Sequence, residues 1–249
     1  MSELFENLDR LRNAEGKVAV ATLVNTRGTT PRKEGAKMLV GEDGRVLGSV
    51  TIGGCVDAQV IEESASVLAA HKPRLLALNL GDEDAWEIGL TCGGTIEVFV
   101  EPVDFREASD ETLRLYERLR KHADGGGRGA LLTRLDPPDN GAKLLVLDTG
   151  EREGGLGSAA LDERSTSETQ GLLRAGKSTT LTVDGTRIFA EVFAPPSIML
   201  IVGAGHVSMP LTSLARTMVT VYPLRASKGS LTSCTQVVPR RAVKPGSSL

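Results

Sequence analysis

The sequence has few residues of the kinds that build disulfides and metal centres. Its three cysteines, Cys55, Cys92 and Cys234, are an odd number without close spacing. A disulfide framework is therefore not expected, and no Cys-x-x-Cys pair offers a zinc site. The three histidines are scattered along the chain, which argues against a transition metal held by protein ligands. We expect neither a disulfide nor a resident metal ion.

The sequence also lacks an excess of one charge and any long apolar run. With 29 Lys and Arg against 32 Asp and Glu, it cannot offer a broad cationic footprint to nucleic acid. No run approaches the roughly 18 apolar residues of a membrane span, and the first residues carry no signal-peptide core. The composition predicts a soluble, cytoplasmic protein without nucleic-acid or membrane partners.

What the sequence does contain is two corners where a cysteine adjoins a glycine pair. They are Gly-Gly-Cys at 53–55 and Cys-Gly-Gly at 92–94. Glycine pairs let the backbone approach a ligand closely, and a thiol beside such a turn is accessible. Cys55 would begin a helix, whose start favours an anion. Two alternatives stay open for each thiol: contact with a reactive ligand, or packing as a small buried residue under a tight turn.

A cationic loop precedes these corners. Residues 25–33 carry three cations and three hydroxyl groups at the end of a predicted strand. Such a loop suits a phosphate or a pterin-type oxyanion, although a solvated turn held by proline is the other interpretation. Glu87, Glu97 and Glu101 are expected at the surface or in hairpins and not as acid or base catalysts.

Residues 1–194 read as an α+β domain. Periodicity predicts helices at 4–11, 56–68 and 109–122, while residues 150–176 are polar and predict a loop with a short helix. β-Branched runs, alternation and turn signals predict strands at 17–25, 36–40, 45–50, 74–80, 95–103, 130–135 and 143–147, and a hairpin around 184–185.

Residues 197–223 read as the start of a Rossmann-like α/β domain. An apolar strand at 198–202 is followed by Gly203-Ala204-Gly205 and then by a helical pattern. The acid that would bind a ribose is missing after Tyr222, so NAD(P) binding is doubtful. His206 suits either ligand contact or a structural role at the helix start. From 224 to 249 the periodicity is lost, which predicts an irregular, disordered tail.

Four blocks together resemble the XdhC/CoxI family, the accessory factors of xanthine dehydrogenase and related molybdenum hydroxylases. The blocks are NTRGTTPRKEGAKMLV (25–40), GSVTIGGCVDAQVIEE (48–63), DEDAWEIGLTCGGTIEVFVEP (82–102) and IVGAGHVSMPLTSLAR (201–216). The sequence departs from the family after about residue 217, where a truncated or frame-shifted C-terminal domain would explain the change in composition.

The resemblance implies a maturation chaperone and no catalytic residues. Such a protein would bind the molybdenum cofactor (a pyranopterin dithiolene with a phosphate), assist its sulfuration and insert it into a xanthine dehydrogenase-type apo-enzyme. A cysteine desulfurase and a homodimer are the further partners it suggests. Motif matching implies a cofactor site at Arg27, Arg32, Gly53, Gly54, Cys55, Cys92, Gly93 and Gly94, with Gly203, Gly205 and His206 at the Rossmann turn. The competing functions are an NAD(P)-dependent oxidoreductase and a thiol redox protein.

Overall fold

The chain forms two compact units, Met1–Ala194 and Pro195–Leu249. The computed structural model describes residue 9 and residues 16–79, 94–107, 110–195, 199–202, 206–218, 220–224 and 234–238. Within these ranges no helix is both long and apolar enough to cross a bilayer. The predicted helix at 4–11 lies outside them, residue 9 excepted.

The first half of the N-terminal unit is a five-stranded antiparallel sheet with one helix. The sheet order is β3-β2-β1-β5-β4, and the helix α1 joins β3 to β4. The elements confirm the strands and the helix predicted here. They are β1 (Lys17–Gly28), β2 (Lys37–Gly41), β3 (Val46–Gly48), α1 (Cys55–Ala70), β4 (Arg74–Asn79) and β5 (Gly94–Asp104).

The second half repeats this architecture. Helix α2 (Glu111–Asp124), begun by the Asp110 side chain, which accepts from the Leu113 N–H, leads into a second antiparallel sheet. Its order is β8-β7-β6-β10-β9, so each strand takes the place of its counterpart in the first sheet. The elements are β6 (Gly129–Arg134), β7 (Lys143–Leu147), β8 (Arg152–Gly154), α3 (Ala159–Ala175), β9 (Thr179–Val183) and β10 (Thr186–Phe193).

The two halves also agree in register and in sequence. Thr22 pairs with Lys37 in the first sheet, as Thr133 pairs with Lys143 in the second. Residues 35–48 (GAKMLVGEDGRVLG) and 141–154 (GAKLLVLDTGEREG) are identical at seven of fourteen positions. Each segment ends in a glycine at positive φ, where a Cβ would collide with the carbonyl oxygen of the lysine. The N-terminal unit is thus a duplicated β-β-β-α-β-β motif.

Helix α3 corrects the prediction of a loop with a short helix at 150–176. It runs for 17 residues, with Ser158 accepting from the Leu161 N–H at its start and Gly176 at φ 64° at its end. Its buried positions are Leu161, Ser165, Thr169 and Leu173. Because two of these four are hydroxyl residues, the apolar periodicity was too weak to reveal the helix.

The two sheets face each other and the helices α1 and α3 cover their outer faces. Val60 and Val67 of α1 pack on the first sheet, and Leu161 and Leu173 of α3 pack on the second. Between the sheets, one end is filled by a cluster that includes Leu115 and Leu119 of α2, and a second cluster unites Val24, Phe99, Leu135 and Phe189. The sandwich explains why β5 alternates in polarity but is buried on both faces.

Two buried ion pairs cross between the sheets. Lys37 Nζ lies 3.0 Å from Glu191 Oε2, and Lys143 Nζ lies 2.9 Å from Glu101 Oε2. Each pair joins the β2-type strand of one half to the β5-type strand of the other, a reciprocity characteristic of a two-fold relation. The expectation that Glu101 lies at the surface was wrong, because Lys143 compensates its charge inside the sandwich.

The C-terminal unit has the predicted strand, helix and strand in order, followed by one more strand. The three strands form a sheet in the order β11-β13-β12, with β13 antiparallel to both neighbours. In a dinucleotide-binding fold the first two strands are adjacent, so the Rossmann-like assignment stays a prediction. The elements are β11 (Met199–Val202), α4 (Ser208–Met218), β12 (Thr220–Leu224) and β13 (Cys234–Val238), the last a strand within the predicted irregular tail.

Candidate functional site

The strand registers bring the predicted site residues of the N-terminal unit to one end of the first sheet, which we call the motif end. There β1 finishes, with Arg27 paired to Thr95 and Gly28 to Gly94. At the same end β4 stops and the turn after β3 leads into α1. The described residues gathered there are Arg27, Arg32, Gly53, Gly54, Cys55 and Gly94.

A carboxylate that the sequence did not identify organises the glycine turn. Asp57 Oδ1 accepts from the backbone N–H of Thr51 at 3.2 Å and from its hydroxyl at 2.9 Å. Asp57 Oδ2 accepts from Ser49 Oγ at 2.5 Å and from the Gly53 N–H at 3.0 Å. Because one buried side chain holds three alternate positions of the turn, the turn has a defined shape before any ligand binds.

The glycines of this turn leave its outer side open. Gly53 and Gly54 have φ of 100° and 91°, a region that favours glycine. A Cβ built at either position would meet no atom within 4 Å. Gly94 differs, because there a Cβ would collide with the Arg27 carbonyl oxygen. Gly53 and Gly54 therefore allow a close approach from outside, while Gly94 allows the two strands to approach each other.

Cys55 is the first residue of α1, and it is exposed. The alternative that it packs as a small core residue is therefore wrong. Gly54 precedes it at the N-cap, and no side chain caps the helix. In the second half the N-cap residue, equivalent to Gly54, is Ser158, whose hydroxyl accepts from the Leu161 N–H. The first half thus starts its helix with an open glycine and a thiol where the second half uses an ordinary cap.

Arg32 joins the cationic loop to the glycine turn. Its Nε donates to the Thr51 carbonyl oxygen at 3.0 Å, and the side chain is otherwise exposed at the motif end. The loop is braced by a hydrogen bond from Thr26 Oγ1 to Glu34 Oε1 at 2.6 Å. In the second half, the residue at the place of Arg32 is Pro138. The loop is exposed, and both interpretations of it, an anion-binding loop and a solvated turn, stay predictions.

A cavity of about 390 Å³ opens beside Arg32 and Ser49 and reaches the buried pair of Lys37 and Glu191. Lys37 also donates to Thr22 Oγ1 at 2.7 Å and to the Tyr116 hydroxyl at 3.1 Å. Burial raises the pKa of Tyr116 well above its ordinary value, with the Glu191 charge as a further cause. The tyrosine therefore stays neutral and acts as a hydrogen-bonding group.

A larger cleft, of about 590 Å³, lies between the sheets beside Asn25 and Arg27, near the end of β1. Its wall carries Arg187, whose NH1 donates to Glu97 Oε1 at 2.7 Å and whose NH2 donates to Asp136 Oδ1 at 2.7 Å. The hydrogen bond from Arg187 lowers the pKa of Asp136, against the opposing effect of burial. Glu97, expected at the surface, is thus part of a charged network in this wall.

Several predicted site residues are not among those brought together here. Cys92, Gly93, Gly203 and Gly205 lie outside the described residues. His206 is exposed in the turn before α4 of the C-terminal unit.

Sequence reasoning missed Asp57, which holds the glycine turn, and Arg187, which lies in the wall of the cleft. It also missed the buried pair of Lys37 and Glu191, which lies beside the first cavity and joins the two sheets. For Lys37 a signal existed, because the repeated Gly-Ala-Lys of 35–37 and 141–143 marks equivalent positions.

Comparison with known proteins agrees with the resemblance. The model of the XdhC and CoxI family matches residues 11–79. A probable xanthine dehydrogenase subunit from Bacillus subtilis (strain 168) is 26% identical over 217 residues, which cover 86% of this chain and 61% of the relative. The molybdenum cofactor insertion chaperone PaoD from Escherichia coli (strain K12) is 32% identical over 148 residues, covering 59% of this chain and 42% of the relative.

A solved structure shares the fold. The crystal structure of a xanthine dehydrogenase from Bacillus halodurans matches with a TM-score of 0.58 and 27% identity, over 79% of this chain and 54% of the solved chain. The chain thus spans less than two thirds of the length of each of these relatives. The family match covers β1 to β4, with the cationic loop and the glycine turn. Residues 11–79 are therefore similar to the XdhC and CoxI family, as the resemblance predicted.

Proposed function

We propose that this protein is an accessory factor that binds the molybdenum cofactor at the motif end and inserts it into a xanthine dehydrogenase-type molybdenum hydroxylase. Assisting the sulfuration of the cofactor, with a cysteine desulfurase as partner, is part of the same proposal. The observation that carries it is the contrast between the two halves: the exposed Cys55 and the open Gly54 stand where the second half has a capped helix.

The side chains at the motif end suit an anionic cofactor with a phosphate and sulfur ligands. The Arg32 guanidinium has N–H groups beyond the one that donates to Thr51, and a phosphate accepts such N–H groups in pairs. The uncapped start of α1 offers backbone N–H groups at the same end, and Gly53 and Gly54 let a ligand approach them closely. The cofactor itself would supply the oxygen-transfer chemistry of the client enzyme, while this chain binds and shields it.

The positions of these groups define their roles in holding the cofactor. Arg32 would neutralise its charge, and Asp57 would keep the glycine turn in place by accepting the hydrogen bond of the Gly53 N–H. Cys55 would contact the sulfur-bearing end, because its thiol is exposed at the helix start. These roles are binding roles alone, in keeping with a carrier that takes up and releases its cargo.

The test is retention of released molybdenum cofactor by the purified full chain during ultrafiltration. We expect a Kd in the micromolar range or tighter, and a loss of about tenfold or more for Arg32→Gln and for Cys55→Ser. Arg45→Gln is the matched control, because Arg45 is an exposed arginine of the same unit in the β2–β3 turn, at the opposite end of β2. Complete passage of the cofactor through the membrane would defeat the proposal.

The NAD(P)-dependent alternative has less support. Its glycine turn lies outside the described residues, and within the described part of the C-terminal unit β13 separates the two strands that a dinucleotide site needs side by side. A parallel titration with NADH tests this choice, because weaker binding of NADH than of molybdenum cofactor is expected.

A further inference from the structure

The cleft beside Arg27 has a wall with a definite hydrogen-bonding pattern. Glu97 lines the cleft, with Oε2 accepting from Asn25 Nδ2 at 2.8 Å and Oε1 accepting from Arg187 NH1 at 2.7 Å. Its side chain is 21% exposed, so the carboxylate faces the cleft while shielded from bulk water. The two bonds fix the plane of the carboxylate at the junction of the two sheets.

This network retains capacity for a ligand. Two protein hydrogen bonds occupy two of the roughly four acceptor positions of a carboxylate. Arg187 uses three of its five side-chain N–H groups, two on Asp136 and one on Glu97, among the described residues. Along the network the groups follow one another as Arg187 N–H, Glu97 Oε1, Glu97 Oε2 and Asn25 N–H. Taken from Arg187, the order is donor, acceptor, acceptor.

That order is complementary to one edge of a small heterocycle. The 2-amino-4-oxopyrimidine edge has an oxo acceptor, a ring N–H donor and an amino donor in sequence. We propose that this cleft binds that edge, as carried by a pterin, with Glu97 as the recognising carboxylate. The assignment rests on the proposed function, because the pterin is the organic part of the molybdenum cofactor.

The position of the cleft supports this occupant. Glu97 and Arg187 lie two residues before Phe99 and Phe189, which hold equivalent register positions in the two halves and belong to one buried cluster. The cleft therefore lies where the two halves meet. Its volume of about 590 Å³ is within the usual range of small-molecule sites. Arg27, exposed at the rim, would face the anionic remainder of the cofactor.

The experiment compares two ligands of the same shape on the full chain. Pterin carries the 2-amino group, and lumazine replaces it by an oxo group that would face the Glu97 carboxylate with an acceptor. We expect the unmodified protein to bind pterin at least tenfold more tightly than lumazine, measured by ligand fluorescence up to about 1 mM. Guanosine carries the same edge on a purine and should bind more weakly than pterin.

Glu97→Gln tests the carboxylate itself. The amide offers an N–H to lumazine, so the preference should fall to about twofold or reverse. Glu153→Gln is the matched control, because Glu153 is a 28% exposed carboxylate that pairs with Arg114 and Arg118 elsewhere in the unit. This variant loses a comparable ion pair and should keep the full preference for pterin.

The outcomes separate this inference from the proposed function. Equal binding of pterin and lumazine, no binding of pterin at about 1 mM, tighter binding of guanosine, or an unchanged preference in Glu97→Gln would each overturn the inference. If the chain retains molybdenum cofactor but shows one of these results, only the pterin assignment fails. If the chain prefers pterin to lumazine through Glu97 but does not retain molybdenum cofactor, the assignment of the cleft is supported and the proposed chaperone function is refuted.

Discussion

Replacing Asp57 by asparagine tests whether the glycine turn is built for a ligand. The asparagine would keep one oxygen of the two, and therefore two of the four hydrogen bonds that Asp57 accepts. Hydrogen bonds to a charged group contribute about 1.5–3 kcal/mol each. Because Gly53 is exposed and the Ser49 hydroxyl can rotate, water and new geometry would recover part of this. We expect a loss of about 2–3 kcal/mol in the free energy of unfolding.

That loss should lower the Tm of the N-terminal unit by roughly 4–12 °C. The second half supplies a matched control in Asp162. Its carboxylate accepts from the Leu156 N–H, six residues earlier, at 2.7 Å, just as Asp57 accepts from the N–H of Thr51, six residues before it. Asp162→Asn weakens at most this one hydrogen bond to the turn before its helix, so its cost should be about 1 kcal/mol. Thermal unfolding by circular dichroism measures both.

The functional measurement is cofactor retention at a temperature where every variant is folded. Asp57→Asn should retain molybdenum cofactor at least tenfold less tightly, whereas Asp162→Asn should match the unmodified protein. A lowered Tm with normal retention in Asp57→Asn would show that Asp57 serves the fold alone. An unchanged Tm would refute the hydrogen-bond network itself.

Two further predictions concern charged pairs of the N-terminal unit, one between the sheets and one within the second half. Lys143→Met should destabilise the unit by about 3–5 kcal/mol, because it leaves the Glu101 charge buried and unpaired. Denaturant unfolding measures this loss. The control is Arg118→Gln, which removes an exposed ion pair and should cost much less. In the folded protein the pKa of Asp136 is lowered from its ordinary value near 3.8. The stabilising contribution of Asp136 is therefore fully present above that value and is lost as the pH falls through the folded pKa. Because Asp136→Asn removes this titrating group, the stability of the variant against acid unfolding should depend less on pH.

The elements of the first half could be predicted because each has a strong local signal. β1 is a β-branched run, the β2–β3 hairpin has Gly44 at φ 77°, and α1 has apolar residues at helical spacing. The glycine turn could be singled out for a related reason. A pair of glycines indicates a turn with positive φ, because glycine adopts that conformation readily and other residues do not. This signal does not depend on the residues that pack around the turn.

The arrangement of the two sheets could not be predicted, because it depends on contacts between residues distant in sequence. The sequence predicts Glu101 as an exposed strand residue, because nothing in it shows that Lys143 forms an ion pair with Glu101 inside the sandwich. The position of Glu97 in the cleft wall likewise depends on its ion pair with Arg187, 90 residues away. Asp57 likewise looks like an ordinary acidic residue in the first turn of a helix. Its function as an acceptor for the turn depends on how the chain folds back before α1.

The internal duplication separates what the fold needs from what the motif end adds. Both halves keep the buried lysine of the second strand, the threonine opposite and the glycine that ends the third strand, so these positions serve the sandwich. Where the second half has Pro138, Ser158 and Ala159, the first has an arginine, an open glycine and an exposed thiol. Since the same frame is built without those three groups, packing does not account for them. In the proposed function, the cofactor would meet this cation, the backbone N–H groups and the thiol together at one turn.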